Sequence, residues 1–402
     1  MRARPKHGIL VDMRVFISAG EVSGDRHGAS LVHEMRAQLA SCQFFGMGHH
    51  AMRDAGVQII SDITSHSAIG LFDSIRDSLK LGRILLTLVR AIKTQKPDAI
   101  IVIDCEGIHM PLLARVKHLG IPIFYFISPQ IWWTRNKKSQ AQFIQTLARR
   151  SDHIITIFQH EYDLYRTQNA QVHYVGHPLL DTAKPQLSRQ ALYNKLNLPE
   201  NTPLIGLFPG SRRQEIRDTY PTLLAAAQRV IDQGVSAKLV VISSSPSYHA
   251  YIAAQTPKHV IVYTDHSYGI IPHLHASITT SGTVTLEHAC FDTPLVVAYK
   301  FGRLAATAIR CVMAYRGVSI RYIALPNLVA DQPIVPEFIQ EQATVQALAT
   351  SLYDLCDPHY KPADNPYRHA QYDGFKTVRT KLAPAGAIAT AAKIIRTTMQ
   401  AT

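Results

Sequence analysis

Short apolar runs alternate along this chain with segments whose apolar residues recur at helical spacing. In the first half, we predict strands at residues 14–18, 42–46, 99–104, 121–127, 153–157 and 172–175. Helical patterns lie between them, at residues 27–39, 111–119 and 137–149. Strands that alternate with helices in this way are typical of a parallel sheet covered by helices.

The second half repeats the pattern. Its predicted strands are residues 204–208, 238–243, 260–263, 276–279 and 295–298, and its predicted helices are residues 215–233, 247–255 and 283–291. We therefore expect an α/β protein with two Rossmann-like, doubly wound domains that face a central cleft.

The predicted boundaries follow from a Pro- and Asn-bearing stretch between the two halves. We expect an N-terminal domain at residues 1–185, a linker at 186–202 and a second domain at 203–370. The remaining residues, 371–402, are predicted to be helical and to pack back toward the N-terminal domain.

Composition narrows the possible partners. The chain has 402 residues, of which 47% are apolar, so each half is large enough for its own core. A net charge of +13 favours an anionic partner: nucleic acid, an anionic membrane surface or a phosphorylated substrate. No basic stripe with interleaved aromatic residues supports nucleic acid, and we expect none to bind. No run approaches the ~20 apolar residues of a spanning helix, so we expect any membrane contact to be peripheral.

Cysteine and histidine usage argues against a metal site. The five cysteines are widely scattered, which suits a reducing cytosol and not a disulfide frame or a zinc site. The twenty histidines are not accompanied by carboxylates or cysteines at ligand spacing. We therefore expect no metal.

Two tight, glycine-containing turns follow strands in opposite halves. A strand that ends in small residues and leads into a helix presents backbone N–H groups and a positive dipole end to an anion. In the second turn, Gly210 and Ser211 permit a close approach and Arg212 is suited to hydrogen-bond phosphate oxygens. A plain turn with a surface arginine is the less favoured interpretation, and the Walker spacing of a P-loop is absent.

A third turn lies further along the second half, at residues 280–287. We predict that the backbone amides of Ser281, Gly282 and Thr283 bind a diphosphate and that Glu287 accepts hydrogen bonds from ribose hydroxyls. Alone, this signal is weak, because Glu287 is equally compatible with a solvated helix position. Together with Arg212 it predicts a nucleotide-diphosphate pocket.

The first turn differs because it carries acids. Its candidate substrate-binding residues are Gly20, Glu21, Ser23, Gly24 and Asp25. A carboxylate here is suited to bind sugar hydroxyls or to hold the turn. Asp104 ends a strand that is otherwise apolar, so it is expected at the rim where open α/β sheets bind ligands. It is our candidate general base, with a capping aspartate as the competing interpretation.

Several strings carry a family resemblance in their order and spacing. They are residues 19–25, 128–132 with Arg135, 175–178, 209–212, 281–287, 325–327 and 335–337. Together they resemble the lipid-A-disaccharide synthases, inverting glycosyltransferases with two Rossmann-like domains in the GT-B architecture. The resemblance spans almost the whole chain.

The resemblance implies transfer of 2,3-diacylglucosamine from its UDP derivative to the 6-hydroxyl of 2,3-diacylglucosamine 1-phosphate. No metal or other cofactor is implied. Position by position, Asp104 matches the family's proposed base, whereas Arg212, Glu287 and Asn327 match residues of the nucleotide-sugar cleft. Glu21 and Asp25 match acids beside the reacting sugars. The implied location is cytoplasmic, peripheral on the inner face of the inner membrane.

One amphipathic segment is the candidate for that membrane contact. Leu71 and Phe72 precede a predicted helix at residues 79–93, in which basic residues stand beside many leucines and isoleucines. On its pattern alone this helix is favoured as a core helix with solvated basic residues. The family's peripheral membrane location instead favours an interfacial helix with Leu71 and Phe72 in contact with lipid.

The chain departs from the family pattern after Asp104. Where the family typically has Ala-Pro-Asp-Phe-Asn, this sequence has Cys-Glu-Gly-Ile-His at residues 105–109. The second acid of the family's pair is therefore replaced by Gly107, and Glu106 stands beside it. Two alternatives follow: Glu106 substitutes for that acid in a shifted geometry, or Asp104 is the only base.

The sequence is also compatible with two alternative functions. One is a related enzyme that acts on UDP-N-acetylglucosamine, although the strings at residues 325–327 and 335–337 argue against it. The other is a catalytically degenerate nucleotide-sugar-binding protein at the membrane, which the altered residues 105–109 would explain.

Overall fold

The computed structural model describes residues 13–39, 41–62, 75–129, 137–167, 171–243, 246–300 and 321–401. The chain divides into two compact units. Unit 1 comprises Met1–Asp181 and Pro384–Thr402, and unit 2 comprises Thr182–Ala383.

The strands of the described residues all run parallel to their neighbours. They are β1 (Met13–Ala19), β2 (Cys42–Gly48), β3 (Gln58–Asp62), β4 (Ala99–Ile103), β5 (Ile123–Phe126), β6 (His153–Thr156), β7 (Val172–Tyr174), β8 (Leu204–Phe208), β9 (Lys238–Ile242), β10 (Ile261–Tyr263), β11 (Ala276–Thr279), β12 (Leu295–Tyr299) and β13 (Glu337–Ile339). Every predicted strand is present, with bounds that agree within two residues.

Helices connect these strands. They are α1 (Val22–Gln38), α2 (His50–Asp54), α3 (Ile75–Gln95), α4 (Glu106–Val116), α5 (Lys137–Arg150), α6 (Gln159–Arg166), α7 (Leu179–Thr182), α8 (Arg189–Leu196), α9 (Arg213–Asp232), α10 (His249–Ala253), α11 (Thr283–Cys290), α12 (Leu325–Ala330), α13 (Val345–Cys356), α14 (Pro366–Leu382) and α15 (Ala387–Ala401). The predicted start of α4 at Pro111 was wrong, because that proline lies inside the helix.

Each unit holds one sheet. The order in unit 1 is β3-β2-β1-β4-β5-β6-β7, and the order in unit 2 is β10-β9-β8-β11-β12-β13. In each sheet the chain winds outward from its first strand in one direction and then returns to build the other side. The point of reversal lies between β1 and β4 in unit 1 and between β8 and β11 in unit 2.

Burial on both faces of the sheet explains the apolar runs. In β8, Ile205 and Leu207 belong to one hydrophobic cluster, whereas Leu204 and Phe208 belong to another. Successive side chains of a strand point to opposite faces, so helices cover the two faces of this sheet. This confirms the doubly wound α/β fold for the described residues.

The two segments expected outside the main domains are structured. The expected linker, residues 186–202, contains α8, whose Leu192 and Tyr193 are fully buried in a core cluster of unit 2. Of residues 371–402, the part in α14 belongs to unit 2, whereas α15 belongs to unit 1 and packs on α1. In the described part of the chain, none of the helices combines the length and apolar character needed to cross a bilayer.

Candidate functional site

The first candidate site lies where the strand order of unit 1 reverses. Ala19, the last residue of β1, pairs with Ile103, the last residue of β4. The turn at Gly20 and the residues after Ile103 are therefore side by side at the carboxyl edge of the sheet, where open α/β sheets bind ligands. A β-carbon on Gly20 would overlap the Cys105 thiol, so this close approach requires glycine.

Three residues at this edge have a strained backbone. Asp104 and Cys105, directly after β4, have φ values of +51° and +48°, and Ile127, directly after the neighbouring β5, has φ +60°. Left-handed backbone is uncommon for any residue other than glycine and is an outlier for a β-branched one. Such strain concentrates at ligand-binding and catalytic positions.

The electrostatics of this edge favour a base that titrates near neutrality. Burial raises the pKa of Asp104 to about 7, and the negative charges of Glu21 and then Glu106 act in the same direction, against a backbone hydrogen bond from Cys105. Glu21 is half-buried beside it, whereas Glu106 is exposed as the first residue of α4. A carboxyl group with this pKa can accept a proton at neutral pH.

The other predicted residues of the first turn lie at the start of α1. Glu21 is the N-cap residue, Ser23 is half-buried and Gly24 is buried. Asp25 is buried, and its carboxylate accepts hydrogen bonds from the backbone N–H groups of His49 (2.6 Å), Ala51 (2.9 Å) and Met52 (3.3 Å). These bonds join α1 to α2. They agree with the second interpretation given above for an acid in this turn, in which the carboxylate holds the backbone in place.

The second candidate site lies at the equivalent reversal in unit 2. Phe208 at the end of β8 pairs with Thr279 at the end of β11, so the turns that follow these strands are adjacent. Arg212 is exposed at the N-cap of α9, and Gly282 is the N-cap of α11. Ser281 and Thr283 are half-buried on either side of Gly282. The structure thus brings Arg212, Ser281, Gly282 and Thr283 to one edge, with two helix N-termini.

Glu215, which none of the sequence motifs marks as a site residue, lies beside the same turn. The Glu215 carboxylate accepts hydrogen bonds from Ser211 N–H (3.2 Å), Arg212 Nη1 (3.4 Å) and the Tyr299 hydroxyl (3.2 Å). Glu215 is the third residue of α9 and turns back to the amide of Ser211, which directly precedes the N-cap residue, and so resembles the glutamate of a capping box. In the sequence, the position of Glu215 three residues after Arg212 is the signal by which it could have been found.

The remaining predicted residues are buried. Glu287 is 7% exposed and accepts a hydrogen bond from the Tyr268 hydroxyl at 3.3 Å. The Asn327 side chain accepts from Val335 N–H (2.8 Å) and donates to Val335 C=O (2.9 Å), so it joins α12 to the segment before β13. Glu337 accepts from Ala324 N–H at 2.7 Å, which caps α12. Asn327 and Glu337 thus hold backbone segments together.

Metal ligands do not cluster in the residues that the structure describes, where no group of three or more His, Cys, Asp and Glu side chains is placed to hold an ion. The described cysteines, Cys42, Cys105, Cys290 and Cys356, are free thiols.

Comparison with known proteins gives one consistent result. The family model described as lipid-A-disaccharide synthetase matches residues 15–379. The lipid-A-disaccharide synthase of Coxiella burnetii (strain RSA 331 / Henzerling II) is 31% identical over 346 residues, which cover 86% of this chain and 89% of that protein. The lipid-A-disaccharide synthase of Geobacter sulfurreducens is 32% identical over 377 residues, which cover 93% of this chain and 94% of that protein.

A solved structure supports the fold. The complex of S. aureus MnaA with UDP aligns with a TM-score of 0.64 and 12% identity, and covers 97% of this chain and 98% of that one. At this identity the likeness concerns the fold alone, and it agrees with the two parallel α/β sheets described above. The family match confirms the resemblance predicted from the motifs: the chain belongs to the lipid-A-disaccharide synthase family of glycosyltransferases.

Proposed function

We propose that this chain transfers 2,3-diacylglucosamine from its UDP derivative to the 6-hydroxyl of 2,3-diacylglucosamine 1-phosphate. The products are a β-1,6-linked disaccharide 1-phosphate and UDP. The observation that carries this proposal is the family match over residues 15–379, which includes both strand-order reversals and the turns beside them.

Asp104 is the proposed general base. As the acceptor 6-hydroxyl oxygen forms a bond to the anomeric carbon, the bond from that carbon to the UDP oxygen breaks and the hydroxyl proton passes to the carboxylate. A pKa of about 7 supports this role, since a base works best when its pKa is near the working pH. Of the two acids after β4, the strained and half-buried Asp104 is favoured over the exposed Glu106.

The sugar side of this edge is proposed to be formed by Gly20, Glu21, Ser23 and Gly24. Asp25 is proposed to hold this turn in place.

The UDP group is proposed to bind in unit 2. Arg212 and the N-termini of α9 and α11 would offset the negative charge of the leaving diphosphate. The amides of Ser281, Gly282 and Thr283 would bind its oxygens, and Glu287 would accept from the ribose. Asn327 would position α12 beside them.

The test is turnover of the two acylated substrates by Asp104→Asn. We expect a loss in kcat of about 100-fold or more, because general bases contribute about 10²–10⁴-fold, with little change in UDP affinity by calorimetry. The matched control is Asp98→Asn, because Asp98 lies just before the opposite end of β4 and accepts from Arg14 N–H at 2.9 Å. An unchanged rate in Asp104→Asn removes Asp104 from the base role, and Glu106→Gln then tests its neighbour.

The altered residues 105–109 favour one second candidate, a nucleotide-sugar-binding protein that has lost catalysis. The same assay separates the two, since UDP binding without any disaccharide formed by the wild-type chain would support the second candidate.

A peripheral contact with the membrane, on its cytoplasmic face, is also proposed. Leu71 and Phe72 lie outside the described residues, so the support comes from α3. Its inward residues, among them Leu85 and Leu88, belong to the core of unit 1. Over residues 80–95, whose side chains are described, its exposed face carries the cations of Lys80, Arg83, Arg90 and Lys93 together with Leu86, which is 62% exposed. Cations around an exposed apolar side chain suit an anionic lipid surface.

A further inference from the structure

The backbone carbonyl of Asp104 receives two hydrogen bonds from buried side chains. His109 Nδ1 lies 2.6 Å from this oxygen, and the Tyr125 hydroxyl donates to it at 2.7 Å. Both residues have no solvent-exposed surface. A buried carbonyl oxygen has two lone pairs and is therefore fully satisfied by these donors.

The contacts of His109 determine which of its nitrogens carries the proton. A carbonyl oxygen only accepts, so Nδ1 must be protonated. Burial lowers the pKa of His109 to about 4, so the ring is neutral at physiological pH and Nε2 is an acceptor. The Ser18 hydroxyl, 2.9 Å from Nε2, then donates to it. The hydrogen bonds run in one direction, from Ser18 through His109 to Asp104.

These residues come from separate elements that meet at one edge. Ser18 is in β1, His109 is in α4 and Tyr125 is in β5, and the strands β1 and β5 flank β4 on either side. Because both donors are buried, the carbonyl direction is set from two sides, by His109 and Tyr125, and Ser18 in turn holds the His109 ring. The backbone that carries this carbonyl is left-handed, with φ +51° at Asp104 and +48° at Cys105.

The network contacts the backbone of Asp104 and not its carboxyl group. The carboxyl group therefore stays at the carboxyl edge near Glu21, whose charge contributes to its raised pKa. A neutral imidazole and a neutral phenol can orient the residue without supplying a charge that would hold the carboxylate ionised. The arrangement thus fixes the backbone from which the carboxyl group projects and adds no positive charge beside that group.

We propose that His109, supported by Ser18 and assisted by Tyr125, is a positioning residue that holds Asp104 in its strained conformation for proton transfer. This inference rests on the proposed function, and specifically on Asp104 as the base. It also gives a role to His109, which stands where the family pattern ends in asparagine. An asparagine amide, like the protonated Nδ1 of His109, is a donor that suits this carbonyl.

The test compares His109→Asn with His109→Gln. The amide nitrogen of asparagine falls near the position of imidazole Nδ1, whereas that of glutamine falls near Nε2. We expect His109→Asn to keep kcat within about threefold, and His109→Gln to lose about tenfold or more with both KM values within about twofold, because small misplacements of a reacting group are costly. Urea midpoints of the two variants should agree.

A second pair of variants removes a single hydroxyl group. Tyr125→Phe deletes the other bond to the Asp104 carbonyl, and we expect kcat to fall by about threefold or more. The matched control is Tyr220→Phe, because Tyr220 is also fully buried and its hydroxyl bonds Thr256 Oγ1 at 2.7 Å in unit 2. This control should keep the wild-type kcat.

Equal kcat values for His109→Asn and His109→Gln overturn the proposal, as does a loss that follows the urea midpoint. If neither His109 variant folds, the tyrosine pair decides, and equal kcat values for Tyr125→Phe and Tyr220→Phe overturn it. Failure of the base assignment is a separate result, because it appears as an unchanged rate in Asp104→Asn.

Discussion

The local environment of Asp104 predicts a measurable pH dependence of kcat/KM. Its pKa of about 7 arises first from burial and then from the charge of Glu21. A base must be deprotonated to act, so kcat/KM should rise with pH through about 7 and level off above it. A solvated aspartate, with a pKa near 3.9, would give no such rise at neutral pH.

Replacement of Glu21 by glutamine should move this rise to lower pH. The negative charge of Glu21 disfavours a second negative charge on Asp104, so its removal lowers the pKa of Asp104. We expect the acid limb of the kcat/KM profile to shift by about 0.5–1 pH unit, within the range that neighbouring charges produce. Glu34→Gln, further along α1, is the control. A limb that stays in place would show that the charge of Glu21 does not contribute to the pKa of Asp104.

The next prediction concerns Arg212 and the binding of UDP. If its guanidinium binds the diphosphate, Arg212→Ala should weaken UDP binding by about 1.5–3 kcal/mol, the usual range for hydrogen bonds to charged groups. Titration calorimetry measures this directly. The neighbouring Arg213, whose guanidinium lies 5.4 Å from the ring centroid of Tyr251, is the matched control and should lose little on replacement by alanine. Equal affinity in the wild type and Arg212→Ala contradicts the assignment.

At the scale of elements, the pattern of apolar residues predicted most strands because both faces of each sheet are buried. It missed β3 and β13, which lie at sheet edges and are only partly buried, so they lack a continuous apolar run. The glycine turns were predictable because their residues are contiguous. The network on Asp104 was not, because Ser18 and His109 are 91 residues apart and meet only when β1 and α4 are packed.

The helix α3 has one face in the core and one exposed basic face, and this predicts how the protein binds vesicles. Charge reversal of Lys80, Arg83 and Arg90 should release the protein from vesicles that contain anionic lipid, since each cation near such a surface contributes about 1 kcal/mol. The control reverses three exposed cations of unit 2, Arg229, Lys258 and Lys361. Sedimentation of the α3 variant with vesicles to the same extent as the wild type would locate the contact elsewhere.

At the scale of the whole molecule, unit 1 is built from two distant parts of the chain. Its second part, α15, packs on α1, and its buried residues include Ile395 and Met399. The Asp181 carboxylate accepts from Gly386 N–H at 2.5 Å and from Ile388 N–H at 3.2 Å, which caps this helix. The stability of unit 1 therefore depends on residues that follow unit 2 in the sequence.

Truncation of Ile395 should test that dependence. Ile395 is fully buried, so Ile395→Ala should lower the opening free energy of unit 1 by about 2–4 kcal/mol. Hydrogen exchange should show the loss at amides of β1 and β4 and leave those of β8 and β11 unchanged. Thr397→Ala changes an exposed residue of the same helix and is the control. Uniform loss of protection in both units would contradict the division of the chain.

The same connectivity has a consequence for biosynthesis. A ribosome that has completed β1–β7 must translate about 200 residues of unit 2 before α15 emerges. At about 5–20 residues per second this takes on the order of 10 to 40 s. During that interval the nascent unit 1 presents the surface of α1 that α15 later covers. Unit 2 can meanwhile complete its own sheet, so the half of the polypeptide that is made first is the half that finishes folding last.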